Sequence, residues 1–521
     1  MGSLQIKDLF LGKIDAYNEF VEFGNEACKN YFFEFPNIEI NSLLNGKYYY
    51  VCGEKGTGKT MLLKYLETLV DSDNSPSYST FIRFMRNIDD EQRNQIKRIG
   101  TTSTEDNVDY SQPIDTSVDC VLAWEIYLIK TVIFGLEKTE YGTFQRDEIW
   151  DELTTILHSL YDEKIEKKRL RTIIPKIKKG NVELNIATLG KVKLDLEWVN
   201  PEKTTVSFKS IANKILDLFS CLSPCENKYY VFVDELELSL RKNKQYERDI
   251  ILIRDLVLAI YQLSEISKEN EYNVHYLAAI RNEVYQAVQS IGLEINKPIH
   301  DYGIQLSWVQ NGGNIKDNPL LKMLEKRIHY SEEKQQVQIS TDIWDTYFSS
   351  VIHEKNICNY ILEQTWNKPR DIIRLFTIIQ KKYGDRSIID QEIFDGVRQD
   401  YSSESWDEKA EALSAFYSNE EIEGIRLVLT GIIIPFDAVE FSNHIDSKSE
   451  CYDVVEKLKN SKYKPIQILS LLYNVGVVGN YEKVPRFEFK GDRDIDPSAA
   501  VTIHYPLIKF FKASMKEFER R

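Results

Sequence analysis

The run Gly53-Glu54-Lys55-Gly56-Thr57-Gly58-Lys59-Thr60 has the residue types and spacing of a phosphate cradle. Gly53, Gly56 and Gly58 let the backbone fold back until successive N–H groups point at one anion. Lys59 can then reach β- and γ-phosphate oxygens, and the Thr60 hydroxyl can ligate Mg²⁺. Thr57 and Met61 complete the set expected to bind the nucleotide. By average residue usage the pattern would arise by chance in only about 0.02 of chains this long. A second constellation closes the run Tyr229-Tyr230-Val231-Phe232-Val233, which ends in Asp234-Glu235. There Asp234 would hold Mg²⁺ and Glu235 would orient and polarise the water that attacks the γ-phosphate, with Glu237 a less favoured substitute. Two arginines can read the terminal phosphate: Arg281, at the end of Val274–Ile280, and Arg370, directly after Pro369 at a helix start.

These residues need strands that end at the phosphates and helices that begin there. Lys47-Tyr48-Tyr49-Tyr50-Val51-Cys52 is a short aromatic and β-branched run, too short for a helix, and reads as a buried strand ahead of the cradle. Met61–Val70 has helical periodicity behind it, so the helix N-terminus faces the anion. Further strands are expected at 80–85, 228–233, 274–280 and 304–308, and helices at 118–136, 211–219, 246–266 and 320–329. Before Lys47, residues 8–46 read as a linker and a helix lying against this domain. His275 reads as a packed strand residue. Between the second strand and the acidic one lies an insertion at about 86–205. It carries helices over 144–180, then a β-hairpin formed by 181–186 and 191–198.

Just before that hairpin, Lys164, Lys167, Lys168, Arg169, Arg171, Lys176, Lys178 and Lys179 fall close together, which reads either as a solvated helix face balancing an acidic protein or as a candidate surface for nucleic acid or an acidic partner. The pattern turns helical from Ile343. The last part reads as helices near 410–417, 422–430 and 447–458. Pro465–Gly479, Arg486–Lys490 and Val501–Tyr505 then outline a winged helix with its hairpin.

The 521 residues suffice for two to four domains, and 42% hydrophobic content is that of an ordinary globular protein. No apolar run approaches the ~20 residues that span a bilayer, and the N-terminus lacks the pattern of a signal peptide. A cytoplasmic protein without a membrane partner is expected. The formal charge of −15 argues against indiscriminate coating of nucleic acid. Seven scattered cysteines, with Cys221 and Cys225 lacking a second pair at zinc spacing, read as reduced structural thiols.

Taken together, Gly53–Thr60, Val231–Glu235, Ile280-Arg281 and Lys368-Pro369-Arg370-Asp371 resemble the AAA+ and STAND-like branch of P-loop ATPases. The likeness is strongest to bacterial ATPases with a helical lid and a C-terminal winged helix, an arrangement shared by archaeal replication-initiator ATPases. Leu11–Glu19 and Leu472–Gly479 look like the corresponding stretches of a group of such ATPases often found in phage-defence loci. The resemblance implies an α/β fold: a three-layer P-loop core on a parallel sheet, with an α+β insertion, over 1–335, a helical lid over 336–406 and a winged helix over 407–521. It implies Arg281 as sensor 1, Arg370 as sensor 2, and an arginine finger from a neighbouring subunit, for which Arg254 and Arg327 are both possible. The expected function is an ATP- and Mg²⁺-dependent hydrolytic switch that controls a partner, as a homo-oligomer or with a separate effector protein, in antiviral defence. A DNA-binding initiator- or translocase-like ATPase, using Lys164–Lys179 or the winged helix, is the alternative.

Overall fold

The computed structural model describes residues 4–35, 37–72, 77–102, 120–140, 142–161, 175, 177–178, 181–185, 198–200, 205–238, 243–290, 295–309, 313–414, 416–481 and 500–516. The chain divides into two compact units, one built from 20–29 and 34–307, the other from 1–19, 30–33 and 308–521. The division at Ser307–Trp308 falls ahead of the expected boundary at 335.

The first unit is organised by a five-stranded parallel sheet. Its strands are β1 (Tyr50–Gly53), β2 (Ser77–Arg83), β3 (Lys228–Leu236), β4 (Val274–Arg281) and β5 (Gly303–Gln305), in the order β2-β3-β4-β1-β5. Parallel strands buried on both faces read as near-continuous apolar runs. Accordingly β1 is buried throughout, and β3 is buried from Tyr229 to Asp234. The expected strand at 80–85 lies earlier, at Ser77–Arg83, because pairing with β3 runs from Ser77↔Lys228 to Arg83↔Asp234.

Helix α1 (Lys59–Ser72) packs on β2, β3 and β4, and buries Leu62, Leu63 and Leu66. The other helices that matter here are α2 (Asp90–Thr102), α3 (Val121–Leu136), α4 (Phe208–Ser220) and α5 (Asn243–Glu269). A single core runs beneath them, with Trp124, Ile133, Ile215, Val257 and Ile260 among its fully buried members.

Within the insertion, Asn181–Glu183 pairs with Ile177–Lys178 on one side and Thr205–Ser207 on the other. Trp198–Asn200 completes a four-stranded antiparallel sheet. The expected hairpin is therefore replaced by a larger sheet in which 181–183 pairs with 205–207. Most of its expected second strand, 191–197, lies outside the described residues. So does the basic run from Lys164 to Lys179, apart from Pro175 and the backbone of Ile177 and Lys178.

The second unit contains α6 (Pro319–Lys334), α7 (Pro369–Tyr383), α8 (Gln391–Leu413), α9 (Asn419–Leu429), α10 (Ala438–Ser449), α11 (Asp453–Lys459) and α12 (Pro465–Val475). Pro at the first turn and an N-cap open α6, where the Asn318 side chain accepts from the Leu320 N–H. Capping boxes open α9 and α10. The expected helix at 447–458 is two helices, α10 and α11, broken at Glu450–Tyr452. After α12, left-handed Gly476 turns the chain into Val478–Asn480, which pairs antiparallel with Val501–Ile503. Phe436 bridges Val501 from the other side, so helices and a small sheet share one core around Leu429, Phe441, Leu472 and Ile503. The expected strand at 486–490 lies outside the described residues.

The N-terminal segment departs from expectation. Up to Glu19 it belongs to this second unit, held by backbone bonds from Ile6 N to Arg386 O (2.8 Å) and Lys7 N to Gly384 O (2.9 Å). The Gln380 amide donates to the carbonyls of Ile6 (3.0 Å) and Leu9 (2.8 Å). These backbone groups find their partners there, which a reading of aromatic content alone does not reveal.

Candidate functional site

Strand β1 stops at Gly53 and α1 starts at Lys59, so five residues make the turn between them. Gly56 and Gly58 have φ of 88° and 93°, a region that costs other L-residues about 1–2 kcal/mol. Gly53 is required for a different reason. A Cβ there would lie 2.8 Å from Thr57 Oγ1 and 3.3 Å from the Leu306 Cβ. Thr57 is buried and donates to the Glu54 carbonyl at 2.9 Å, locking the loop from inside. Lys59, also buried, donates its ammonium to the carbonyls of Gly53 (2.8 Å) and Glu54 (2.6 Å). Thr60 follows on the first turn of α1, and Met61 packs inward with its sulfur 3.9 Å from Cys28 Sγ.

The acidic pair stands level with this loop. β4 pairs Ala278 with Tyr50 on one side and with Val233 on the other, and Ile280 with Cys52 and with Leu236. Between Val233 and Leu236 the register slips, so Asp234 and Glu235 occupy an irregularity in the ladder opposite the end of β1. Glu235 takes a left-handed φ of 58° there. Two strand spacings, about 10 Å, separate β1 from β3. The C-terminal edge of a parallel sheet is where open α/β folds bind ligands.

Asp234 Oδ2 and Glu235 Oε2 are buried and have no hydrogen-bond partner among the described residues. Buried carboxylate oxygens left this way are costly unless a cation or donor joins them. Burial raises the Glu235 carboxyl above its usual range. Arg83 pulls it back, while Asp234 and Glu237 push it further up.

Arg83 went unrecognised in the sequence. It ends β2, is Cα-paired with Asp234, and is itself buried. Its Nε donates to Glu235 Oε1 at 2.9 Å, and Nη2 closes on the same oxygen. The signal was present as a basic residue ending an apolar strand, but it acquires meaning only once β2 and β3 are known to be neighbours.

Arg281 is Cα-paired with Gly53, which brings it to the same edge as Lys59, Asp234 and Glu235. Its guanidinium forms an ion pair with Glu237 and lies 3.6 Å from Glu283. Arg370 belongs to the second unit. There it sits on the first turn of α7 and pairs with Glu408 at 3.3 Å, a carboxylate that Arg374 also grips. Beside them Asp371 accepts the Trp366 N–H at 2.9 Å, and the Trp366 indole donates to the Gly476 carbonyl at 2.6 Å.

Both arginines considered as fingers are buried in structural pairs instead. Arg254 is bound to Asp255 at 2.5 Å, and Asp255 in turn accepts the Cys120 N–H. Arg327 meets Glu19 at 2.8 and 3.2 Å and the Leu11 carbonyl at 3.2 Å, beneath the rings of Phe10 and Tyr31. A guanidinium enclosed in this way is unavailable to a neighbouring subunit.

Residues 318–408 match the family described as a FunZ-associated C-terminal helical domain. The match begins at the N-cap of α6 and ends at Glu408 on α8, so it takes in the expected lid together with the helix before it. No curated protein matches the chain. Among the described residues no helix is long and apolar enough to cross a membrane.

Proposed function

We propose that the parallel-sheet unit binds and hydrolyses ATP with Mg²⁺, and that hydrolysis controls how the second unit engages a partner protein. The observation that carries this reading is the alignment of two motifs. The Gly53–Thr60 turn and the Asp234-Glu235 pair lie at one edge of the sheet, two strands apart, and each carboxylate of the pair keeps one buried oxygen without a partner among the described residues. Those residues suit a metal–triphosphate ligand. Lys59 would exchange its two loop carbonyls for phosphate oxygens, and the N–H groups at the start of α1 would face the same anion. Thr60 and Asp234 would hold Mg²⁺, which when bound neutralises phosphate charge and polarises the phosphoryl group. Glu235 would orient water at its free Oε2 while Arg83 steadies Oε1. Arg281 would read the terminal phosphate.

A role in bacterial antiviral defence, through a homo-oligomer or a separate effector, rests on the sequence resemblance to ATPases of phage-defence loci. The match of 318–408 to a FunZ-associated helical domain is compatible with control passing through that segment. The DNA-binding alternative has one feature in its favour. Lys457, Lys459, Lys462 and Lys464 surround the turn between α11 and α12, with no acidic side chain from there to Tyr481. Against it, Lys457 and Lys459 are paired with Glu420 and Asp446. Salt-dependent duplex binding lost on neutralising Lys462 and Lys464 would favour that reading.

The test of the leading reading compares ATP binding and phosphate release by the wild type, Lys59→Ala and Glu235→Gln. Lys59→Ala abolishes binding, whereas Glu235→Gln binds ATP but does not turn it over. Equal hydrolysis by wild type and Glu235→Gln would sink the assignment of Glu235.

A further inference from the structure

Arg281 stands at the edge where the loop begins, and its charge is already claimed by neighbouring carboxylates with access to solvent. Glu237 follows the last residue of β3, and Leu236 is in register with Ile280, so Glu237 emerges directly beside Arg281. The two form an ion pair with side chains 20% and 35% exposed. Glu283, on the next turn of chain, stands 3.6 Å away and is 48% exposed. This pair differs from the buried ones. Glu19 and Asp249 are enclosed with their arginines and hold elements together. A partly exposed pair is weak enough to be exchanged for a phosphate oxygen, whose charge-assisted bonds to guanidinium are stronger.

We infer that Glu237 is a built-in competitor for the terminal phosphate: it occupies Arg281 until a triphosphate displaces it, so that Arg281 separates triphosphate from diphosphate. This rests on the nucleotide reading above. No bond is made or broken; one anion replaces another on the guanidinium. A diphosphate, ending one phosphoryl group short, leaves Glu237 in place. Glu237 is thus a positioning residue that acts through Arg281.

The experiment measures dissociation constants of the full chain for Mg²⁺ with a non-hydrolysable ATP analogue and for Mg²⁺-ADP. Glu237→Gln should tighten the triphosphate analogue by about fivefold, the upper end of what such a pair is worth, and leave ADP within about twofold. In an Arg281→Ala background the same substitution should change neither, because the residue it acts through is gone. Glu283→Gln, more distant and more exposed, should shift the ratio less than Glu237→Gln. An unchanged ratio in Glu237→Gln, or the same gain with Arg281 absent, overturns the inference. So does an equal effect from Glu283→Gln, which would indicate a diffuse field. Weaker analogue binding by a Glu237→Gln protein that melts with the wild type also overturns it. If the wild type binds no triphosphate, the nucleotide reading falls and the inference with it. Binding that depends on Lys59 but ignores Glu237 removes the inference alone.

Discussion

Arg83 and Glu235 meet across neighbouring parallel strands, the guanidinium Nε 2.9 Å from one carboxylate oxygen while the other oxygen stays buried and unbonded. One end of the carboxylate is fixed and the other is left for chemistry. Burial raises the Glu235 carboxyl and Arg83 opposes that rise. The sign of a pH effect follows. A carboxyl raised in the folded state contributes stability that is present below its unfolded value and is lost as pH rises through the folded one. Arg83→Met should therefore enlarge that loss and destabilise the unit by about 2 kcal/mol at pH 7, and by much less near pH 4. The acid limb of the ATP hydrolysis profile should move to higher pH. Denaturant titrations at both pH values and a pH–rate profile check this, and a limb that stays in place would contradict it.

Glycine substitutions in the loop should separate two causes of failure. Gly58→Ala meets open space apart from Phe35 at 3.9 Å, so its penalty is backbone strain at φ 93°, about 1–2 kcal/mol. Gly53→Ala meets Thr57 Oγ1 at 2.8 Å and disturbs the lock on the loop even though its φ is ordinary. Thermal melts should show both losses. Gly53→Ser should be worse than Gly53→Ala, whereas Gly58→Asn, which tolerates the left-handed region, should recover part of the Gly58→Ala loss.

Arg327→Ala should cost about 3–5 kcal/mol of stability, because it strands Glu19 as an uncompensated buried charge. Mixing this variant with a Lys59→Ala protein should restore no hydrolysis beyond that of its folded fraction. Recovery in trans would return Arg327 to the list of arginine fingers.

Lys409 gives the second unit its own pH dependence. Burial, reinforced by Lys368, brings its ammonium down to about 8, against the opposing pull of Asp371 and Glu408. A lysine depressed in the folded state binds fewer protons there than when unfolded, so stability rises with pH between about 8 and 10.4, by up to about 3 kcal/mol. Lys409→Met should flatten that rise. Urea midpoints of wild type and variant across this range decide it. A wild type with no slope there would show that the ammonium, 4.0 Å from the Trp366 ring, is not penalised by burial.

The Gly53–Thr60 turn was legible because its glycines and the strand before it are consecutive residues, and the strand before Asp234-Glu235 was legible because a doubly buried strand must be apolar along its length. The order of the strands was not. Nothing in the composition of Ser77–Arg83 states that it neighbours β3, so Arg83 could not be linked to Glu235. Arg254 and Arg327 were left open as arginine fingers because no local pattern names an arginine's partner, and Arg327 finds Glu19 308 positions away. The C-terminal helices were readable from apolar periodicity, apart from the break at Glu450–Tyr452. The attachment of Ile6 and Lys7 to 384–386 depends on backbone groups, which are identical in every sequence.

The strand order also sets a timetable for synthesis. Gly53 and Arg281 are side-by-side partners, yet β4, which flanks β1, and β3, which carries the acidic pair, come far later in the chain. At ribosomal rates of ~5–20 residues per second, the roughly 230 residues between them take roughly 10–45 s. For that interval Tyr50–Cys52 is an apolar strand without its β4 neighbour. If the proposed nucleotide site forms at this edge, it is incomplete until Arg281 has left the exit tunnel, so added ATP should not protect a nascent chain that stops before β4.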